Sequence, residues 1–115
     1  METDTPARAG TVTGPAELER RRLERALEKR SRYRYVHPQV VAEGCGWRVA
    51  SPCCSRNVDP QGGEIDIAWF EPAEGGWRLH ARNHAQGCWV PYAQAARLMD
   101  LVDVVCTDPL RVFWP

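Results

Sequence analysis

Apolar and polar positions recur with two different periods along this chain, and the change of period marks its elements. In "PAELERRRLERALEKRSRYRY" the apolar residues Ala16, Leu23, Ala26 and Leu27 share one face of a helix, and most of the rest are strong helix formers. Pro15 suits a first helical position, where its missing N–H would be unpaired anyway. Glu17, Glu19 and Glu24 precede Lys29, Arg30 and Arg32, the order that the helix dipole prefers. From Pro38 the period becomes two. "QVVAEGCGWRVAS" reads as a hairpin turning at Gly44-Cys45, which sets Val40 opposite Val49 and Ala42 opposite Trp47.

A second hairpin is expected in "GEIDIAWFEPAEGGWRLHARN". Pairing Phe70 with Gly76 places Trp69–Trp77, Ile67–Leu79 and Ile65–Ala81 together on the core face. The same register sets Asp66 opposite His80 and Glu64 opposite Arg82 on the outer face, an ion ladder worth a few tenths of a kcal/mol (roughly 0.2–1). "GCWV" follows as a short fifth strand. A second helix is expected from about Pro91 through "YAQAARLMDLVDVV", with Ala95, Leu98, Met99, Val102 and Val105 as its inward stripe. "TDP" ends it, and "LRVFWP" closes the chain as an extended segment. The fold class that follows is α+β: an N-terminal helix, a five-stranded antiparallel meander and a C-terminal helix, with both helices packed on one face of the sheet. Residues 1–14 lack periodicity and are expected to be a flexible tail, with residues 15–115 forming one α+β domain.

Three stretches carry a resemblance. The helix "ELERRRLERALEKR", the Trp-bearing strands, and the ending in which Asp108-Pro109 is followed by Phe113-Trp114 resemble a bacterial family of small proteins known as a domain of unknown function. The similarity covers roughly residues 17–38 and 89–115. It implies the fold and no chemistry. "SPCCSRNVDP" and "HARNHAQGC" depart from that pattern, so any activity particular to this chain is expected there.

Composition narrows the functional classes. The 115 residues are 43% hydrophobic and 26% charged, and the formal net charge is zero. A chain of this size and apolar content can build a core without disulfides or metal. Neutrality gives no overall preference for nucleic acid or anionic membrane. No apolar run is long enough for a membrane span, and no export signal is visible, so a cytoplasmic location is expected. The five cysteines then read as free thiols.

Cys53 and Cys54 lie in a long loop, and loops of that length are enriched in function. In a meander that loop shares one end of the sheet with the connection carrying His84 and Cys88, whereas Cys45 lies at the other end. Cys53, Cys54, His84 and Cys88 are therefore candidate zinc or iron ligands, Cys3His being a set that zinc accepts. Adjacent cysteines tend to point apart, so a site using one of them with Asp59 or water is an alternative. Arg56 beside the pair permits a reactive thiol or a vicinal disulfide, and a Cys–His hydrolase lacks an orienting third group. Small residues capping the sheet end are the plainest account.

Two other features point to partners. Eight Arg/Lys against four Glu between residues 16 and 35, with Tyr33 and Tyr35 interleaved, make Arg20, Arg21, Arg25, Arg32 and Arg34 candidate nucleic-acid contacts. The interspersed Glu equally mark a solvated helix face. Of five tryptophans, Trp69 and Trp77 fit the core, while Trp89 and Trp114 with Phe113 are candidate anchors for a protein partner. The leading expectation is a small non-enzymatic accessory or interaction module that binds another protein, a homodimer included. Metal binding ranks second and weak nucleic-acid binding third.

Overall fold

A computed structural model describes residues 15–30, 37–52 and 63–114. The expected tail, Arg32 and Arg34, and the Cys53–Cys54 loop lie outside the described residues. The elements are α1 (Pro15–Leu27), β1 (Gln39–Glu43), β2 (Gly46–Pro52), β3 (Glu64–Ala73), β4 (Gly76–Asn83), β5 (Cys88–Ala95) and α2 (Leu98–Thr107). The strands form one antiparallel sheet in the order β1-β2-β3-β4-β5, the expected meander between two helices.

The first hairpin has the register read from its pattern, with Val40 opposite Val49 and Ala42 opposite Trp47. The second does not. Phe70 pairs with Leu79, Trp69 with His80 and Pro72 with Trp77, a shift of three residues from the expected pairing. Proline cannot donate to a ladder, so a strand that runs through Pro72 needs its nitrogen on an unpaired side. Here β2 pairs no further along β3 than Phe70, so the Pro72 nitrogen faces no neighbouring strand and β3 continues to Ala73. The turn is then Glu74-Gly75, with Gly75 at φ 78°, a conformation that glycine adopts without penalty. Gly76 is needed for space, because a Cβ there would stand 2.3 Å from the carbonyl oxygen of Ala95.

The second helix also begins later than its pattern implied. Residues Cys88–Ala95 form an eight-residue edge strand, and α2 starts at Leu98. Pro91 is tolerated there because β5 is an edge and carries a bulge at this point, Leu79 pairing with Ala93 and His80 with Pro91 so that Tyr92 is the extra residue. A second bulge, between Val49 and Ala50, makes Ile67 the extra residue on β3. It turns two consecutive side chains, Ile67 and Ala68, into the core.

The core lies between one sheet face and both helices. Val40, Trp47, Val49, Phe70, Leu79 and Ala81 meet Leu23 and Leu27 of α1 and Leu98, Leu101, Val102 and Val105 of α2. The Trp47 indole donates to Glu19 on α1 at 2.7 Å, and the Cys106 thiol donates to the Ala26 carbonyl at 3.4 Å. Burial raises that thiol to about 11, so Cys106 stays a protonated core residue. Beyond α2 the chain turns back at Asp108, and Phe113 and Trp114 enter the core, each 1% exposed.

Candidate functional site

The opposite face of the sheet is covered by neither helix, and its side chains come from alternate positions of β2, β3, β4 and β5. The register sets Arg48, Trp69, His80 and Pro91 in one row across four strands. Trp69 stacks on the His80 ring, with centroids 4.6 Å apart and planes inclined by 25°. Trp89 lies 6.1 Å from Trp69, and the Arg82 guanidinium sits 5.0 Å over the Trp89 ring, within the range of a cation–π contact. His80 is only 7% exposed although it is on this face, because Trp69 lies over it.

Charges border the aromatic row. Arg48 donates to Asp66 at 2.7 Å and to Glu43 at 3.2 Å, and Arg82 is 3.8 Å from Asp66. Glu71 joins His80 at 2.9 Å and Arg78 at 3.6 Å. The Trp69 indole donates to the Glu43 carbonyl at 3.3 Å. Every arginine here has a carboxylate neighbour, so the face is patterned by alternating sign and has no strong net field. Each such half-exposed pair contributes about 0.2–1 kcal/mol, but together they hold the aromatic rings in place.

The expected outer-face partners are thus exchanged. His80 pairs with Glu71 and not Asp66, Arg82 approaches Asp66 and not Glu64, and Trp69, expected in the core, belongs to the open face. The odd register shift turns Trp69 outward and brings Glu71 beside His80, and the bulge at Ile67 returns Asp66 to the outer face, where Arg82 reaches it. Trp77 does pack against the core.

Trp89 lies half-buried in the outer cluster, whereas Phe113 and Trp114 are core residues and present no surface to a partner. Cys88 is exposed at the start of β5, and His84 is half-buried in the β4–β5 turn. Among the described residues no group of three or more His, Cys, Asp or Glu is arranged to hold a metal. On α1, Arg20 and Arg21 are engaged by Glu17, and Arg20 also by Glu24 at 2.8 Å. Of the described candidates for nucleic-acid contact, only Arg25 is without an ion pair. Trp69, His80, Arg48, Arg78, Arg82, Asp66 and Glu71 escaped the sequence reading as a cluster. Strand alternation was the available signal, and the bulge at Ile67 and the strand continuing past Pro72 concealed it.

Burial holds the His84 imidazole below its ordinary 6.5, with nearby Arg82 acting the same way and Asp66 opposing. The unfolded chain therefore takes up this proton before the folded one does. The His84 contribution to stability is complete above 6.5 and is lost as pH falls toward the lower folded value. Urea midpoints measured from about pH 8 to about pH 5 should decline more steeply for the native sequence than for His84→Gln; equal slopes would remove His84 from the account. A separate acid window belongs to Glu17, whose carboxyl the Arg20 hydrogen bond, with help from Arg21, holds at about 2. Its contribution is present above 4.5 and fades as pH falls toward 2.

Over residues 12–115 the chain matches the family described as "Domain of unknown function (DUF3024)" and belongs to it. The match agrees with the resemblance carried by the first helix and by Asp108-Pro109 with Phe113-Trp114. No curated protein and no solved structure matches the chain. No helix of the described residues is long and apolar enough to cross a membrane.

Proposed function

We propose that this chain is a non-enzymatic accessory module that docks another protein on the sheet face opposite its two helices. The observation that carries the reading is the Trp69–His80–Trp89 cluster, set across three strands and bordered by Arg48, Arg78 and Arg82. Tryptophan and arginine are the residue types that contribute most at protein interfaces, and fixed aromatic rings lose little entropy on binding. Ion pairing of the arginines argues for a partner of mixed charge. A polyanion would have to displace Asp66 and Glu71 first.

A photo-crosslinking amino acid tests this in the native cell. Placed at Gln94, exposed on β5 opposite Arg78 of the same face, it should yield one adduct of defined mass; placed at Leu110, 77% exposed after α2, it should not. The adduct should disappear on Trp69→Ser. Equal adducts from both positions, or none from Gln94, would count against the sheet face.

A second reading, a zinc or iron site of Cys53, Cys54, His84 and Cys88, has one observation in its favour. Nε2 of His84 is buried with no hydrogen-bond partner among the described residues, and the neutral imidazole favoured there is the form that binds metal. Elemental analysis of the untagged protein separates the readings. Stoichiometric metal lost on Cys53→Ser or Cys54→Ser supports the site, and metal-free protein with freely titrating thiols opposes it.

A further inference from the structure

On the helical side of the molecule, away from the sheet face, Arg22, Arg25, Ala26 and Lys29 of the α1 segment and Met99 of α2 line a cleft of about 290 Å³. Positions 22, 25 and 26 lie on one side of α1 by their i, i+3, i+4 spacing, and Lys29 follows in the turn that ends it, its N–H donating to the Ala26 carbonyl at 3.1 Å. Ala26 and Met99 pack against the core and give the cleft an apolar floor. Arg22, Arg25 and Lys29 are exposed around it. None of the three has an ion pair among the described residues, in contrast to Arg20 and Arg21 one turn earlier. Asp103 on α2 influences the Cys106 thiol together with Lys29, but it does not line the cleft.

We propose that this cleft binds a small soluble amphiphilic anion, a phosphomonoester or carboxylate whose charged group meets Arg22, Arg25 and Lys29 and whose hydrocarbon or aromatic part lies on Ala26 and Met99. Charge complementarity fixes the sign of the ligand. Three convergent cations without carboxylates leave a local positive field on a protein of zero formal net charge, and charge-assisted hydrogen bonds to phosphate or carboxylate are the strong ones. The apolar floor fixes the second half of the ligand. Met is adaptable in shape, and the arginine and lysine stems add apolar wall beneath their charged ends. The volume is at the lower end for a small-molecule site, about 300 Å³, and is too small for a macromolecular segment with a fold of its own.

Titration calorimetry with octyl phosphate tests this on the full chain, alongside inorganic phosphate and vesicles containing phosphatidic acid. The expected result is saturable one-to-one binding of octyl phosphate at least about tenfold tighter than inorganic phosphate, the difference coming from the buried alkyl chain. Binding should weaken at least about tenfold in Arg25→Gln/Lys29→Gln, whose exposed side chains leave the fold intact, and should fall with added salt. Amide shifts on titration should centre on Ala26 and Met99. The proposal is overturned if octyl phosphate does not bind saturably or binds no tighter than inorganic phosphate. Binding unchanged in the double variant, or binding confined to the vesicles, also overturns it. The sheet-face reading stands or falls separately, because its cross-links come from the other side of the molecule.

Discussion

Asp108→Ala is expected to lose about 3–5 kcal/mol of stability, a large part of the roughly 5–15 kcal/mol that holds a domain of this kind together. The side chain is 2% exposed, and its two oxygens hold three successive backbone N–H groups. Oδ1 accepts from Val112 at 2.7 Å, both oxygens accept from Phe113 at 3.2 Å, and Oδ2 accepts from Trp114 at 2.9 Å. Its own backbone closes α2, donating to Val104 at 3.0 Å from a left-handed conformation at φ 34°. Alanine fits that conformation poorly and leaves the three donors without an acceptor in a dry site, where each lost partner costs about 1–3 kcal/mol before relaxation.

Asp108→Asn and Asp108→Gly together separate these two causes. Asparagine tolerates the left-handed backbone and keeps one acceptor oxygen, so its loss should be clearly smaller than that of alanine. Asp108→Gly relieves the backbone without supplying an acceptor and should fall between asparagine and alanine. Urea denaturation monitored by circular dichroism measures all three. A loss within about 1 kcal/mol for alanine would mean that the C-terminal segment is held by packing alone.

Trp114→Ala is the second large effect, about 3–5 kcal/mol, the range for emptying a buried aromatic site. The ring is 1% exposed. Its indole donates to the Val105 carbonyl at 2.9 Å near the end of α2, and the Arg30 guanidinium lies 5.1 Å from its centroid. Arg30 in turn donates to the Leu27 carbonyl at 2.8 Å at the end of α1. One side chain therefore joins the C-terminal ends of both helices. Trp114→Phe keeps most of the packing and drops the hydrogen bond, so about 1–2 kcal/mol is expected. Equal losses for Phe and Ala would place the energy in the hydrogen bond and not in burial. The Asp108 and Trp114 effects should be less than additive, because the Trp114 amide is one of the groups that Asp108 holds.

These two residues show why a legible motif was assigned the wrong role. The spacing of Asp108-Pro109 from Phe113-Trp114 is visible in one dimension, and so is its departure from helix and strand periods. What is not visible is that a carboxylate after a helix can reach forward to amides four to six residues on and fold the following aromatics inward. An extended terminus would offer Phe113 and Trp114 to a partner as anchors; with Asp108 in place they close the core. The outer-face cluster escaped for a related reason. Trp69 and His80 each sit in an apolar-looking strand, and only the pairing of β3 with β4 shows that they stack.

The sequence by itself determined the element types and their order. Helical spacing around Leu23 and Leu27, alternation in β1 and β2, and a two-residue glycine turn between them are short-range properties of the chain, settled within a few residues. Tertiary structure alone decided the register of β3 on β4, the late start of α2 and the identity of the open face. Each of these depends on a distant neighbour. Pro72 is acceptable only because β2 has already ended, Pro91 only because β5 is an edge with a bulge, and Trp69 faces outward only because two helices from the chain's ends claim the other side. A period of two says that side chains alternate, but which of the two faces meets the helices is set by where the rest of the chain packs.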